Sequence, residues 1–348
     1  MSLDIDELKR TLQDHFAEGL VTIIGSGLSV AEGLPGMKEL ATQLVTSIQS
    51  IDSDDDRSQW EAIRSSLNQV TLEQALTTYP PSRSLEMKIV RETSKILYKE
   101  EEEAVERILS GERTLALCHL FRRMRKSDNG IPIITTNYDR LIEFAAELSG
   151  IGVDRMFVGS HFGKFDEKLS ALSFCKRISE YRGRVRYHMR ERIKLFKPHG
   201  SLDWYLRNNE VVAYNGRTEL PPLIITPGTN KYREGYEMPF DRHRERANQE
   251  ISSAQAFLIV GYGFNDDHLE THLKAAMRKQ KPCIIITRTL YEKGEQILEL
   301  NGKAIAFLYQ KESTGEGTLI RTRGETHFLC GIHMWNLHDF VSEVFRDE

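Results

Sequence analysis

The sequence predicts an α/β protein: a doubly wound parallel sheet carrying a helical insertion module. Three observations carry that expectation. Short apolar, β-branched runs recur at 20–24, 131–136, 256–260 and 283–287, each with the length and composition of a strand buried on both faces. Segments of helical periodicity separate them. Polar or glycine-rich loops follow their ends, as in sheets whose strands alternate with helices and whose ligands lie outside the strand carboxyl ends.

The elements come in order. Ile5, Leu8, Leu12 and Phe16 recur at helical spacing, with Asp4 or Asp6 near the start and Glu18-Gly19 at the end, which predicts a first helix. The run 20–24 is the first strand. From 38 to about 125 the pattern is helical, with Leu40, Leu44, Val45 and Ile48 as one stripe and Leu115, Leu117, Leu120 and Phe121 as another. Asp52-Ser53-Asp54-Asp55-Asp56 reads as a polar break, and Glu100 to Glu103 as a solvated helix face. This block is expected to be helices inserted between strands of one sheet, not an independent domain. The second strand, 131–136, leads through Asn137-Tyr138-Asp139 into a helix containing Leu141, Phe144 and Leu148. The stretch 150–197 is ambiguous until a short strand candidate at 194–197. A strand and turn are expected at 222–228, and a polar loop at Gly315-Glu316-Gly317. One domain over 1–290, with the insertion at about 38–125, and a C-terminal segment 291–348 packed on it, accommodate this pattern.

Composition narrows the function classes. Of 348 residues, 40% are hydrophobic and 28% charged, enough for a large packed core. The formal net charge of −4 argues against a generally basic, nucleic-acid-coating protein. Cys118, Cys175, Cys283 and Cys330 are scattered and form no C-x-x-C pair, which suits free thiols in a reducing compartment. The acidic N-terminus lacks the apolar stretch of a signal peptide. No apolar run approaches the ~20 residues of a membrane helix. A cytoplasmic protein that does not engage membranes is expected.

Four patches carry chemistry. Gly25-Ser26-Gly27-Leu28-Ser29 follows the first strand. Its glycines allow a sharp turn and close approach to a phosphate, a following helix would turn N–H groups toward the phosphate, and Ser26 and Ser29 add hydroxyl donors. A plain tight turn explains that patch about as well, although Gly33-Leu34-Pro35-Gly36 adds a second constrained turn that a simple βα unit does not need. Thr135-Thr136-Asn137-Tyr138-Asp139 ends the second strand. The Asn137 amide suits ribose hydroxyls or a carboxamide, while a turn role for Asn137 and a helix cap at Asp139 account for them equally. In Lys197-Pro198-His199-Gly200-Ser201 a histidine sits on a rigid turn, and it is the best candidate of the 11 histidines for proton transfer near neutral pH. In Gly261-Tyr262-Gly263-Phe264-Asn265-Asp266-Asp267 two glycines again permit close backbone approach to a ligand, and Asp266 or Asp267 is placed to cap the next helix.

Together these four patches resemble the sirtuin family, in the family's order, over roughly 20–273 of the chain. The resemblance implies a Rossmann-like fold that binds NAD as substrate. By it, Gly25, Ser26, Gly27 and Ser29 hold the pyrophosphate. Asn137 and Asp139 lie at the nicotinamide ribose, and His199 is the catalytic base. Gly261, Tyr262 and Gly263 border the adenosine half. Three departures speak against protein deacylation. The two C-x-x-C pairs of the zinc ribbon are missing, so no zinc is expected. Gly36-Met37-Lys38 stands where deacylases continue with Asp-Phe-Arg, and the groove motif for an acyl-lysine peptide is not recognisable. What remains is similar to the bacterial sirtuin-like NADases of anti-phage systems. That similarity implies an NAD+ glycohydrolase yielding nicotinamide and ADP-ribose, acting as a homo-oligomer with a separately encoded partner such as a HerA-like ATPase or a short Argonaute. The alternatives are a deacylase or ADP-ribosyltransferase, or a non-catalytic NAD or ADP-ribose sensor. A basic stretch at 176–197 reads as a solvated helix, with nucleic-acid contact left open; 231–246 is similarly basic.

Overall fold

The apolar runs set the architecture. In the computed structural model, which describes residues 4–124, 127–226 and 238–345, they become the centre of a nine-stranded sheet of order β16-β15-β14-β13-β12-β1-β2-β8-β3. β1 (Leu20–Ile24), β2 (Ile131–Thr135) and β12 (Ala256–Val260) are buried at every residue, and β13 (Cys283–Thr287) at all but its last. β1 pairs in parallel with β12 on one side and β2 on the other. β8 (Arg192–Phe196) and β3 (Gly152–Asp154) continue the parallel sheet beyond β2, and β14 (Ala304–Glu312) continues it beyond β13. From β1 the chain builds the β2 side first and returns later to β12. The carboxyl ends of β1 and β12 therefore flank a topological switch point, where a doubly wound sheet opens a crevice.

Helices cover both faces because alternate strand residues point to opposite sides. On one face Ile24, Leu258 and Ile284 pack with α1 (Ile5–Asp14), α7 (Ala116–Arg123), α8 (Leu141–Leu148) and α13 (Leu337–Val344). On the other, Ile23, Phe257 and Ile285 pack with α10 (Phe240–Ser253), α11 (Asp267–Met277) and α12 (Glu292–Leu300). Asp4 caps α1 through the N–H groups of Asp6 and Glu7. The helix stops at Asp14, short of Phe16. There the N–H groups of His15 and Phe16 turn back to Leu12 and Gln13, which lets the Phe16 ring meet Phe345 edge-on at 4.9 Å.

Between β1 and β2 lies the helical block. α3 (Met37–Ser47), α4 (Asp54–Ser66), α5 (Leu72–Thr78) and α6 (Arg83–Leu109) enclose a core of their own around Leu44, Trp60, Ile63, Leu76 and Ile89. Two details differ from the sequence reading. The 52–56 stretch is not a break throughout: Ser53 caps α4 and the aspartates form its first turn, where negative charge is favoured. Nor is the Glu100–Glu103 run all solvated, because Glu101 is fully buried and binds the Arg140 guanidinium at 2.8 Å.

The chain from 150 to 226 supplies a second, antiparallel sheet of order β11-β9-β10-β5-β4. It comprises β4 (Phe157–Val158), β5 (Phe162–Phe165), β9 (Gly200–Arg207), β10 (Glu210–Tyr214) and β11 (Pro222–Ile224) around Trp204 and Phe240. The strand expected at 222 thus belongs to this sheet, and its turn at Pro227-Gly228 lies outside the described residues. The basic stretch is not a helix but a hairpin of β6 (Cys175–Tyr181) and β7 (Arg184–Met189), exposed over most of its length. Of the second basic stretch, 231–237 lie outside the described residues and the remainder leads into α10. Gly315 and Gly317 do not form a loop but open β15 (Gly315–Arg321), which pairs with β14 and with β16 (Thr326–Cys330). A Cβ on Gly317 would sit 2.0 Å from the Leu329 carbonyl oxygen. All four cysteines are free thiols. Among the described residues no helix is long and apolar enough to cross a membrane.

Candidate active site

The loop after β1 is pressed against the loop after β12. Gly25 N–H donates to the Val260 carbonyl and Gly27 N–H to that of Gly261, both at 2.9 Å. A Cβ on Gly25 would meet Tyr262 Cα at 2.4 Å, and one on Gly27 would meet Gly261 Cα at 2.8 Å. Gly261 itself has φ +57° and would drive a Cβ to 2.5 Å from the Leu28 nitrogen. These glycines are required by each other. The sequence reading assigned them to close approach of a ligand; the structure gives a more immediate reason, two backbones crossing in contact.

From this crossing α2 (Ser26–Ala31) carries Ser29 inward. Its hydroxyl donates to Asp139 Oδ2 at 2.6 Å, and Asn137 Nδ2 donates to Ser29 Oγ at 2.9 Å and to the Gly25 carbonyl at 3.0 Å. The orientation of the amide follows from the partners. Ser29 spends its one proton on the carboxylate and can only accept from Asn137, as can a carbonyl. The side of the amide left over is the acceptor Oδ1. Asp139 Oδ1 receives the Leu141 N–H at 3.2 Å, so the residue supports the start of α8 as well as Ser29.

Beneath this cluster lies a buried cation. Lys197, 1% exposed, donates from Nζ to the Asp139 carbonyl at 2.5 Å and to Glu143 Oε1 at 3.1 Å. Burial pushes the Glu143 carboxyl above its ordinary range despite Lys197. For the neighbouring Asp203, burial acts upward, but Arg155, Lys197 and Arg140 outweigh it and hold the carboxyl below that range. His243 of α10 receives the Lys197 N–H on Nδ1 at 3.2 Å; burial, with Lys197 and Arg155, lowers its pKa to about 3.

His199 follows two residues after Lys197. The chain leaves β8 at Phe196 and turns so that Gly200 N–H returns to the Lys197 carbonyl at 3.1 Å. Gly200 has φ +92° and passes so close to β11 that a Cβ would lie 2.1 Å from the Leu223 carbonyl oxygen. Ile225 N–H donates to the His199 carbonyl at 2.9 Å. The imidazole Nε2 lies 2.5 Å from Asp266 Oδ2. Between β12 and Asp266, the buried Phe264 holds φ 55°, a conformation that costs a bulky residue roughly 1–3 kcal/mol.

One cleft collects these groups. Gly25, Ser26, Ser29, Asn137, Asp139, His199, Tyr262 and Gly263 all line it. Gly27 and Gly261 do not; they form the crossing behind it. The helical block roofs the cleft with Met37, Leu40, Glu73 and Leu97. Its charged lining is Glu73, Asp139 and Asp266, with no lysine or arginine among the described lining residues. The sequence reading missed Glu73, the pairing of Asp266 with His199, and the buried Lys197. Lys197 stands inside a recognised patch, but a lysine beside a turn is ordinarily a solvated one. Nothing in the linear pattern signals Glu73, or an Asp–His contact across 67 positions.

A doubly wound sheet with a polar, acid-lined cleft at its switch point defines a ligand-binding α/β protein of the Rossmann-like class. The family described as SIR2-like domain matches residues 132–308, more than half of the chain, and the chain belongs to that family. Among solved structures it is similar to Sir2Tm bound to a propionylated peptide, at 11% identity and a TM-score of 0.43 over 84% of this chain and 90% of that one. It is also similar to a Sir2–p53 peptide–NAD+ structure at 12% identity and a TM-score of 0.41, with the same coverage of 84% and 90%. No curated protein matches the sequence.

Proposed function

We propose that the cleft binds NAD+ and cleaves its nicotinamide–ribose bond, releasing nicotinamide and ADP-ribose. One observation carries this reading: Ser29, Asn137 and Asp139 line a single cleft together with His199 and Asp266, and the charged lining of that cleft is acidic. Membership of the SIR2-like family and the resemblance of the four patches point to NAD as the substrate.

The chemistry suits such a lining. The nicotinamide ring of NAD+ is cationic and leaves as a neutral molecule, so it needs no acid. Positive charge then develops on the ribose, where the lining carboxylates of Glu73 and Asp139 favour it. As the C–N bond breaks, its electron pair goes to the nicotinamide nitrogen. Water adds to the ribose carbon, and its proton passes to His199. Asn137, with its Nδ2 committed to Gly25 and Ser29, offers Oδ1 to a ribose hydroxyl or to the water. Ser26, Ser29, Tyr262 and Gly263 border the dinucleotide, while Gly25, Gly27 and Gly261 hold the two loops together behind it. In this reading 1–290 form the NAD-binding domain, with the insertion at about 38–125 as its roof and 291–348 packed on it. The resemblance extends the reading to a homo-oligomeric, cytoplasmic effector of anti-phage defence, triggered by a partner such as a HerA-like ATPase.

Nicotinamide release is the direct test, with purified protein incubated with NAD+ alone and with the product of the neighbouring gene. His199→Ala and Asn137→Ala are each expected to slow release by about 10²-fold or more, with His199→Ala still folding in one cooperative transition. Turnover unchanged in both variants would refute the assignment. Turnover that depends on an acyl-peptide or a protein acceptor would move it to the deacylase or ADP-ribosyltransferase class.

A further inference from the structure

We propose that Asp266 is a positioning residue for His199, selecting its tautomer and tying the imidazole to the start of α11. This inference rests on the NAD-cleaving reading of the same cleft. Asp266 is almost completely buried, with 4% of the residue exposed. Its two carboxylate oxygens have separate tasks. Oδ1 accepts the N–H groups of His268 and Leu269, each at 3.0 Å, and so caps α11. Oδ2 lies 2.5 Å from His199 Nε2.

A carboxylate can only accept, so the proton of that contact resides on Nε2. In the neutral imidazole this makes Nδ1 the basic nitrogen, which assigns the proton-accepting atom of the proposed reaction. The ring cannot flip without losing a charge-assisted hydrogen bond. When Nδ1 takes the proton of water, the imidazolium forms directly beside a carboxylate. The next residue gives the contrast. Asp267 is exposed and pairs with Lys293 Nζ at 3.0 Å, so of two consecutive aspartates only the first faces the histidine. The loop reaches this geometry through positive φ at Gly261 and Phe264, which aims Asp266 at both the helix end and the ring.

Asp266→Asn tests the idea without removing the cap, because asparagine caps helices about as well as aspartate. The variant is expected to keep its thermal midpoint and to hold the KM for NAD+ within about 3-fold. Its kcat should fall by about 10²-fold, the usual scale of a proton-transfer contribution. Asp267→Asn should match the unsubstituted protein in every respect. In a His199→Ala background Asp266→Asn should cause no further loss, since a residue acting only through the ring contributes nothing once the ring is gone. An unchanged kcat, a rise in KM alone, or a full additional loss in the double variant would overturn the proposal. Nitrogen NMR of labelled histidine, with His199 assigned by its loss in His199→Ala, needs no turnover. It should report a protonated Nε2 that changes in Asp266→Asn. A protonated Nδ1 at neutral pH would refute the assignment even if NAD+ is not cleaved, and a protonated Nε2 with no NAD+ cleavage would count against the enzymatic reading alone.

Discussion

Two hydrogen-bonded sets wall the cleft: Ser29, Asn137 and Asp139 make the first wall, His199 and Asp266 the second. The first wall is an interlocked set. Each side chain bonds to another member or to the backbone, and Lys197 braces the Asp139 carbonyl from below. The second wall presents one imidazole held by one carboxylate, on a loop of strained backbone. The difference separates folding from chemistry. Side chains of the first wall are part of the buried hydrogen-bond network and should be costly to change even where no ligand is bound. Replacing His199 costs the fold its hydrogen bond to Asp266, so it should be cheaper to folding than a change in the brace of the first wall and far more expensive to catalysis.

The brace under the first wall offers the largest test of that contrast. Lys197→Met removes the partner of Glu143 and leaves a buried carboxylate unpaired, which costs about 3–5 kcal/mol. Urea denaturation should register that loss, against less than about 1 kcal/mol for His199→Gln. Adding Glu143→Leu to Lys197→Met should recover much of the loss, because an apolar pair of similar volume often replaces a buried ion pair without penalty. Equal stability of Lys197→Met and the unsubstituted protein would break the comparison.

Ser29→Ala probes the same wall at a smaller scale. It leaves Asp139 Oδ2 and one Asn137 N–H without the hydroxyl that joins them, for a cost of about 1–3 kcal/mol. Activity should fall with it, because Asn137 loses one of the two contacts that fix its amide. A variant that loses activity at full stability would mean that Ser29 serves the ligand alone.

What could be read from the sequence divides along similar physical lines. β1, β2, β12 and β13 were legible because a strand buried on both faces is a continuous apolar run. The patches around Asn137, His199 and Gly263 were legible because turns at strand ends demand glycine, proline and polar side chains. The second sheet, apart from β11, was not. β5 and β10 are short, half-exposed and mixed in character, and β9 carries Asp203 and Ser201 into the interior. Buried charge was equally hidden. Glu101 sits in a run of four glutamates, and only the fold reveals that one of them turns inward to Arg140. The hairpin of β6 and β7 escaped because its arginines and tyrosines follow no apolar stripe of either period.

The smallest predicted effect concerns the base of the second wall. His243 accepts the Lys197 N–H, next to the turn that presents His199, and its ring lies 4.7 Å from that of Trp204. Burial first, then the charges of Lys197 and Arg155, bring its pKa down to about 3 from the ordinary 6.5. The fold therefore keeps this histidine neutral, while the unfolded chain binds a proton below pH 6.5. Its contribution to stability is fully present above pH 6.5 and drains away as pH falls, until the folded group itself titrates near 3. One unit below 6.5 the loss is about 1.4 kcal/mol. Chemical denaturation at pH 7.5 and 5.5 should show this increment in the unsubstituted protein and lack it in His243→Gln, whatever the other groups contribute to both. An identical pH slope in the two proteins would mean that His243 is charged in the fold, and that the support of the second wall is as polar as that of the first.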